Sequence, residues 1–158
     1  MARPFVVGFD GSEASRLALD FAAERAAALK RTLVLVNVVP ASVKNLAFSE
    51  LLLPGIDLSS VVKPGKFRDV AQQRLDEVAE EARKRGVEVQ AMVRAGDSAD
   101  ELIAAARELD AEQIVLGFMS YEHKLPYGIG TVAEKVMRNA GCTVTVVRPH
   151  GKPAKGSR

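Results

Sequence analysis

The sequence predicts an α/β fold: a doubly wound, five-stranded parallel sheet with strand order 3-2-1-4-5 and helices on both faces. Three observations predict it. Short apolar runs rich in branched residues alternate with helix-period segments in the order βαβαβαβαβ, the pattern of right-handed βαβ crossovers. The run 87–94 alternates strictly, Val87, Val89, Ala91 and Val93 against Glu88, Gln90, Met92 and Arg94. One of its faces is therefore wet, which puts this third strand at a sheet edge and favours the order 3-2-1-4-5 over a barrel or a six-stranded sheet. Finally, only Asp10-Gly11 separates the first strand from its helix, so Asp10 stands at a strand's carboxyl end, where open α/β sheets bind ligands.

Phe5 to Phe9 reads as a strand buried on both faces. Ser12 is a good N-cap and Glu13 suits the first turn. Ala14, Leu17, Ala18, Phe21, Ala22, Ala28 and Leu29 trace a helical face running to about Lys30. Thr32 to Val39 is the second buried strand. The stretch 40–65 is too long for an ordinary βα connection and too apolar for a solvated linker, so it is expected to cover the open end of the sheet, a partner subunit, or both. The second helix is expected from about Phe67 to Lys84, with Val70, Ala71, Leu75, Val78 and Ala82 inward and Arg85-Gly86 ending it. After the third strand, Ser98 with Glu101 reads as a capping box before a helix carrying Leu102, Ile103, Ala106 and Leu109. Gln113 to Leu116 is the fourth strand, and Thr143 to Arg148, after the helix stop Asn139-Ala-Gly141, is the fifth.

The fourth strand leads to the last helix through a loop that carries Gly117, Ser120, Gly128 and Gly130. From Val132 the apolar spacing becomes helical, with Val132, Ala133, Val136, Met137 and Ala140 on one face, and Thr131 with Glu134 reads as a capping box at the mouth. A helix start presents free N–H groups and the positive end of the helix dipole, and glycines let a phosphate approach the main chain. Two readings stand side by side here: an anion site, or a plain cap worth about 1 kcal/mol with glycines that only turn the chain. Gly128-Ile-Gly130-Thr-Val-Ala133 also fits the dinucleotide fingerprint, but it follows a loop late in the chain rather than the first strand directly, so that assignment fails. With strands one and four adjacent at the switch point, Asp10 and Gly117 are expected to face one crevice.

The 158 residues suit one domain, 1–149, followed by a flexible basic tail, 150–158. The formal net charge is +2, and removing the tail cations Lys152, Lys155 and Arg158 leaves −1. With so little charge and only 5% aromatic residues, the body lacks the electrostatic footprint and the stacking platform of a nucleic-acid binder. No apolar run approaches the roughly 18 residues of a membrane span. Gly8 and Asp10 interrupt the N-terminal apolar stretch, so no signal peptide is expected and the expected compartment is the cytoplasm. The single Cys142 opens an apolar strand and reads as a small hydrophobe.

The chain resembles the universal stress protein family over nearly all its length: FVVGFDGSEAS, LVNVV, AGDSADELI, EQIVLG and CTVTVVR carry the likeness. Nucleotide-binding members of that family carry Gly-x-x-Gly-x9-Gly-Ser/Thr between the fourth strand and the fourth helix. Gly117, Gly130 and Thr131 match in register, whereas the second motif position is Ser120. The resemblance implies an adenine nucleotide alpha hydrolase-like fold binding ATP or AMP, with the phosphates, carrying Mg or Mn, on the Gly130-Thr131 helix start. It implies adenine near Asp10 and the main chain of Val38. The implied nucleotide-binding set is Gly8, Asp10, Val38, Gly117, Ser120, Gly130, Thr131 and Val132. It further implies a homodimer paired through the last strand and a role as a stress-response regulator.

Two classes of function follow. The first is an adenine-nucleotide-binding regulator. The second is a nucleotide-free member acting as a dimeric interaction or scaffold protein, to which the bulky Phe118 and Met119, Ser120 and the acidic Glu122 point. An enzyme in its own right finds little support: there is no P-loop lysine motif and no metal-ligand pair at helical spacing. His123 reads as a solvated loop residue and His150 lies in the tail, so slow ATP hydrolysis is the most that is expected.

Overall fold

The computed structural model describes residues 2–39, 41, 64–118 and 131–149. Ser120, His123, Gly128, Gly130, nearly all of the 40–65 segment and the tail 150–158 lie outside the described residues. Five strands, β1 Phe5–Gly8, β2 Leu33–Val39, β3 Val89–Ala95, β4 Gln113–Gly117 and β5 Thr143–Val147, form one sheet in the order β3-β2-β1-β4-β5. Every pairing is parallel, and the predicted order is the observed one. Among the described residues four helices connect them: α1 Glu13–Leu29, α2 Pro64–Arg83, α3 Ser98–Glu108 and α4 Thr131–Asn139.

β1 is the centre. Phe5 pairs with Leu33 on one side and Gln113 on the other, and Phe5, Val6 and Val7 are fully buried. Alternate side chains of a strand point to opposite faces. Phe5 and Val7 accordingly join Leu33, Leu35 and Val115 under α1 and α2. Val6 joins Val34, Val36, Ile114 and Leu116 under α3 and α4. Each face of a parallel sheet must be covered in this way, which is why its strands read as unbroken apolar runs.

α1 begins as expected, with the Ser12 hydroxyl accepting from Ser15 N–H at 3.2 Å, and ends on Lys30 in the left-handed conformation, φ 54°. Its buried stripe is Ser15, Ala18, Leu19, Ala22, Ala23 and Ala26, about one residue round from the expected face, and Leu29 is exposed. So many alanines leave the local period weak, and the helix turns its smallest residues to the sheet. In α2, Leu75, Ala79 and Ala82 are buried while Val70 is exposed, contrary to the expected face. In α4 only Ala133 and Val136 are buried; Val132 and Met137, expected inward, are exposed, because this nine-residue helix meets the sheet along a narrow line at its end.

One capping assignment changes. Asp97, not Ser98, caps α3: its backbone is extended and its carboxylate accepts Asp100 N–H at 3.0 Å. Glu101 is held instead by Arg94 Nε at 2.7 Å, and Arg94 also grips Glu108 at 2.8 and 3.1 Å, tying the edge strand to α3. Glu134 pairs with Arg138 at 2.9 Å one turn on. Cys142 is half-buried, and burial pushes its thiol pKa up, which keeps it in the neutral, unreactive form.

The Asp97 cap has a pH signature. The backbone N–H of Asp100, and then the Lys135 ammonium, hold its carboxyl below the ordinary value of 3.8. A depressed folded-state pKa contributes stability that is full above the unfolded-state value and is lost as pH falls through the folded one. Asp97→Ala is expected to cost about 1 kcal/mol at neutral pH. Urea titrations are expected to show the gap between parent and variant narrowing once pH drops below about 3.8.

Candidate functional site

All five strands point the same way, so their carboxyl ends share one rim of the sheet, and the helices that follow them start there. A cleft opens on this rim where β1 and β4 part company. Its floor is apolar, made by Val36 and Val38 of β2, Leu116 of β4 and Leu102 of α3. Its walls are the first turns of α1, α3 and α4, which bring the hydroxyls of Ser12, Ser98 and Thr131 to one opening.

Two glycines make this geometry feasible. A Cβ on Gly8 would lie 2.7 Å from Leu116 Cδ2 and 3.2 Å from Leu102 Cδ1, so its bare backbone lets those side chains close the floor. A Cβ on Gly117 would lie 2.3 Å from the Ala14 carbonyl oxygen. Gly117 is needed because the tip of β4 lies directly against the first turn of α1, and not for turning the chain.

The β1–α1 turn is locked by its own polar groups. Gly11 takes φ +84°. Ser12 N–H donates to Asp10 Oδ1 at 2.8 Å, the Ser15 hydroxyl donates to Ser12 O at 2.9 Å, and Asp10 N–H reaches the Ser15 hydroxyl at 3.4 Å. Asp10 is thus a turn-builder that remains exposed at the cleft. It is the one ionisable side chain lining the cleft among the described residues. Opposite it, Lys135 of α4 reaches Asp97 at 3.1 Å and Asp100 at 2.9 Å, binding the starts of α3 and α4 together. Hydrogen bonds from Lys135 to Asp100, then to Asp97, raise its pKa, so the clasp stays charged through the neutral range.

Of the residues singled out from sequence, Gly8, Asp10, Val38, Gly117, Thr131 and Val132 all line this one cleft. Ser120 and Gly130 lie outside the described residues. Sequence reasoning missed Ser12, Ser98, Leu102 and Leu116 as lining residues. Their position in a first helical turn or at a strand's end was the available signal. Chemically, the cleft joins an apolar floor to a rim of hydroxyl residues and helix N-termini, which suits a ligand with one apolar part and one anionic end.

Comparison with known proteins gives the same fold throughout. The model of the universal stress protein family matches residues 1–148. A universal stress protein of Methanothermobacter thermautotrophicus is 40% identical over 65 residues, covering 39% of this chain and 42% of that protein, so the match spans less than half the relative's length. The crystal structure of a universal stress protein family member from Burkholderia pseudomallei is 32% identical, covers 90% of this chain and 93% of its own, and has a TM-score of 0.65. The universal stress protein from Archaeoglobus fulgidus in complex with dAMP is 23% identical, covers 91% and 96%, and has a TM-score of 0.65. Similar folds have been solved in complex with cAMP and with AMP bound, at 23% and 18% identity. At those identities the likeness speaks for the fold alone.

The contact at Gly117 predicts a stability effect separable from any ligand. Gly117→Ala forces a methyl group onto a main-chain oxygen that has no rotamer to yield, so it is expected to cost about 3 kcal/mol. Gly8→Ala meets only side-chain ends and is expected to cost less. Denaturant unfolding of both variants measures the difference.

Proposed function

The chain belongs to the universal stress protein family, and from that premise we propose that it binds an adenine nucleotide, ATP or AMP, and acts in the cytoplasm as a stress-response regulator. One observation carries the reading: Gly8, Asp10, Val38, Gly117, Thr131 and Val132, scattered over the sequence, line a single cleft at the switch point of the sheet. In this proposal the adenine lies on the apolar floor beside the main chain of Val38, and Asp10 accepts a hydrogen bond from the base or the ribose. The phosphates sit at the start of α4, on Gly130, Thr131 and Val132, with the Ser120 hydroxyl as a further donor. A divalent cation, Mg or Mn, would be held through the phosphates; among the described residues no group of three or more His, Cys, Asp or Glu could hold one. The complexes of similar folds with AMP, dAMP and cAMP support the choice of ligand class.

The same proposal pairs two copies through β5. Val147 O accepts Phe118 N–H at 2.8 Å, so the alternate residues Val144 and Val146 turn their backbone groups away from β4. Among the described residues no side chain occupies those groups, and an uncapped edge strand is a template for another. Pairing of identical edges gives a closed, isologous dimer.

Two measurements test these readings. Millimolar ATP or AMP is expected to raise the melting temperature, by the equivalent of about 2.7 kcal/mol at a ligand concentration a hundredfold above Kd. Gly130→Asp, which fills and charges the phosphate position, is expected to abolish the shift. A melting curve that neither nucleotide moves would transfer the function to the nucleotide-free scaffold class. Sedimentation is expected to show a dimer at micromolar concentration, and Val146→Pro, which deletes an outward N–H without touching the β4 ladder, is expected to yield monomers. A monomeric parent overturns the dimer.

A further inference from the structure

The opposite edge of the sheet is built differently. Leu33 N–H donates to Glu88 O at 2.8 Å and Gly96 N–H to Val39 O at 2.9 Å, so the even-numbered residues of β3 face β2. Val89, Ala91 and Val93 therefore direct their N–H and C=O groups outward, where a sixth strand would add. Side chains of α2 hold those positions. Arg83 donates to Val89 O from Nε at 3.0 Å and from Nη2 at 2.6 Å. Gln72 donates to Ala91 O at 3.4 Å and accepts Val93 N–H at 3.3 Å, acting as a single residue of strand would. Arg68 donates to Val93 O at 3.0 Å. All three outward carbonyls between Val89 and Val93 are engaged.

The placement follows from helix geometry. Arg68, Gln72 and Arg83 fall at offsets of four and fifteen residues, which superimpose within about 60° around a helix of 3.6 residues per turn. Within and beside that stripe Leu75, Ala79 and Ala82 are buried in one cluster with Val89 and Val93, so α2 is anchored along the edge and its polar side chains reach the outward groups. Arg83 is steadied in turn by Glu80, and Gln72 Nε2 by Asp76 at 2.9 Å.

We propose that Arg68, Gln72 and Arg83 of α2 seal the β3 edge against strand addition, so that another chain can join the sheet only at β5 and assembly ends at two copies. The second half rests on the dimer proposed above. The seal itself does not. A sheet open at both edges could add copies indefinitely, and a sealed edge removes that route. Covering the edge with side-chain donors is effective because a competing strand must first strip hydrogen bonds from each carbonyl.

The test compares the full chain with the variant Arg68→Ala/Gln72→Ala/Arg83→Ala by analytical ultracentrifugation across micromolar concentrations, with amide exchange at Val93 as the local readout. The expected result is a parent that stays at one species, and a folded variant that forms larger, concentration-dependent assemblies and that, at the lowest concentration, before it associates, exchanges Val93 N–H at least tenfold faster. Adding Val146→Pro to the variant is expected to leave association in place, now through β3. A parent that is monomeric removes the dimer, while gain of association by the variant still supports the seal. A dimeric parent and an equally dimeric, folded variant overturn the seal and leave the dimer standing. Should the alanine variant not fold, Arg68→Met/Gln72→Met/Arg83→Met retains the aliphatic cover, removes every side-chain donor to the β3 edge, and gives the same reading.

Discussion

The structure depends on the complete burial of Phe5, Val6 and Val7 in β1. Phe5, Val6 and Val7 are enclosed by a strand on each side and a helical layer on each face, with no solvent exposure at all. Alternation of side chains then divides the core in two, Phe5 and Val7 below α1 and α2, Val6 below α3 and α4. At about 25 cal/mol per Å² of apolar surface, enclosure of such a strand is among the largest favourable contributions a domain of this size has. It also sets the topology: the chain must cross to one side for β2 and β3 and to the other for β4 and β5, and a switch point follows.

The cleft is a consequence of that switch. Where neighbouring crossovers diverge to opposite faces, no helix covers the strand ends, and the floor is left to whatever side chains the strands present. Here these are apolar, while the surrounding helix starts supply the hydroxyl residues Ser12, Ser98 and Thr131. Close packing sharpens the arrangement. Gly117 admits the first turn of α1 to the tip of β4, and Gly8 admits Leu116 and Leu102 beneath the opening. The turn of Asp10, Ser12 and Ser15 is held by its own hydrogen bonds, which fix where the Asp10 carboxylate stands at the cleft.

The two ends of the sheet solve one problem in different ways. An edge strand carries a row of outward backbone groups, and water alone leaves them available to any extended chain. Along β3 the long polar side chains of α2 take up the carbonyls of Val89, Ala91 and Val93 and the N–H of Val93, made feasible by the helix lying over the edge on Leu75, Ala79 and Ala82. Along β5 the covering helices are α1 and the short α4, and no comparable stripe reaches the outward groups of Val144 and Val146 among the described residues. The two edges of the sheet thus differ in how far side chains engage their outward backbone groups.

The order of elements, the parallel sheet, the edge position of β3 and the station of Asp10 and Gly117 at one rim were legible in the sequence alone. Burial on both faces demands unbroken apolar runs, a wet edge permits alternation, and a two-residue connection leaves a residue nowhere else to stand. The family resemblance was legible too, since its segments span the chain. Other features were decided by tertiary structure. The stripe that α1 buries was hidden by its alanines, Asp97 displaced Ser98 as a cap because Arg94 had claimed Glu101, and Val132 and Met137 stayed outside because α4 touches the sheet so narrowly. The gathering of Ser12, Ser98 and Thr131 at one opening, and of Arg68, Gln72 and Arg83 on the edge of β3, depends on distances between segments remote in the chain. Local periodicity records which side of an element is apolar; it holds no information on what that element will meet.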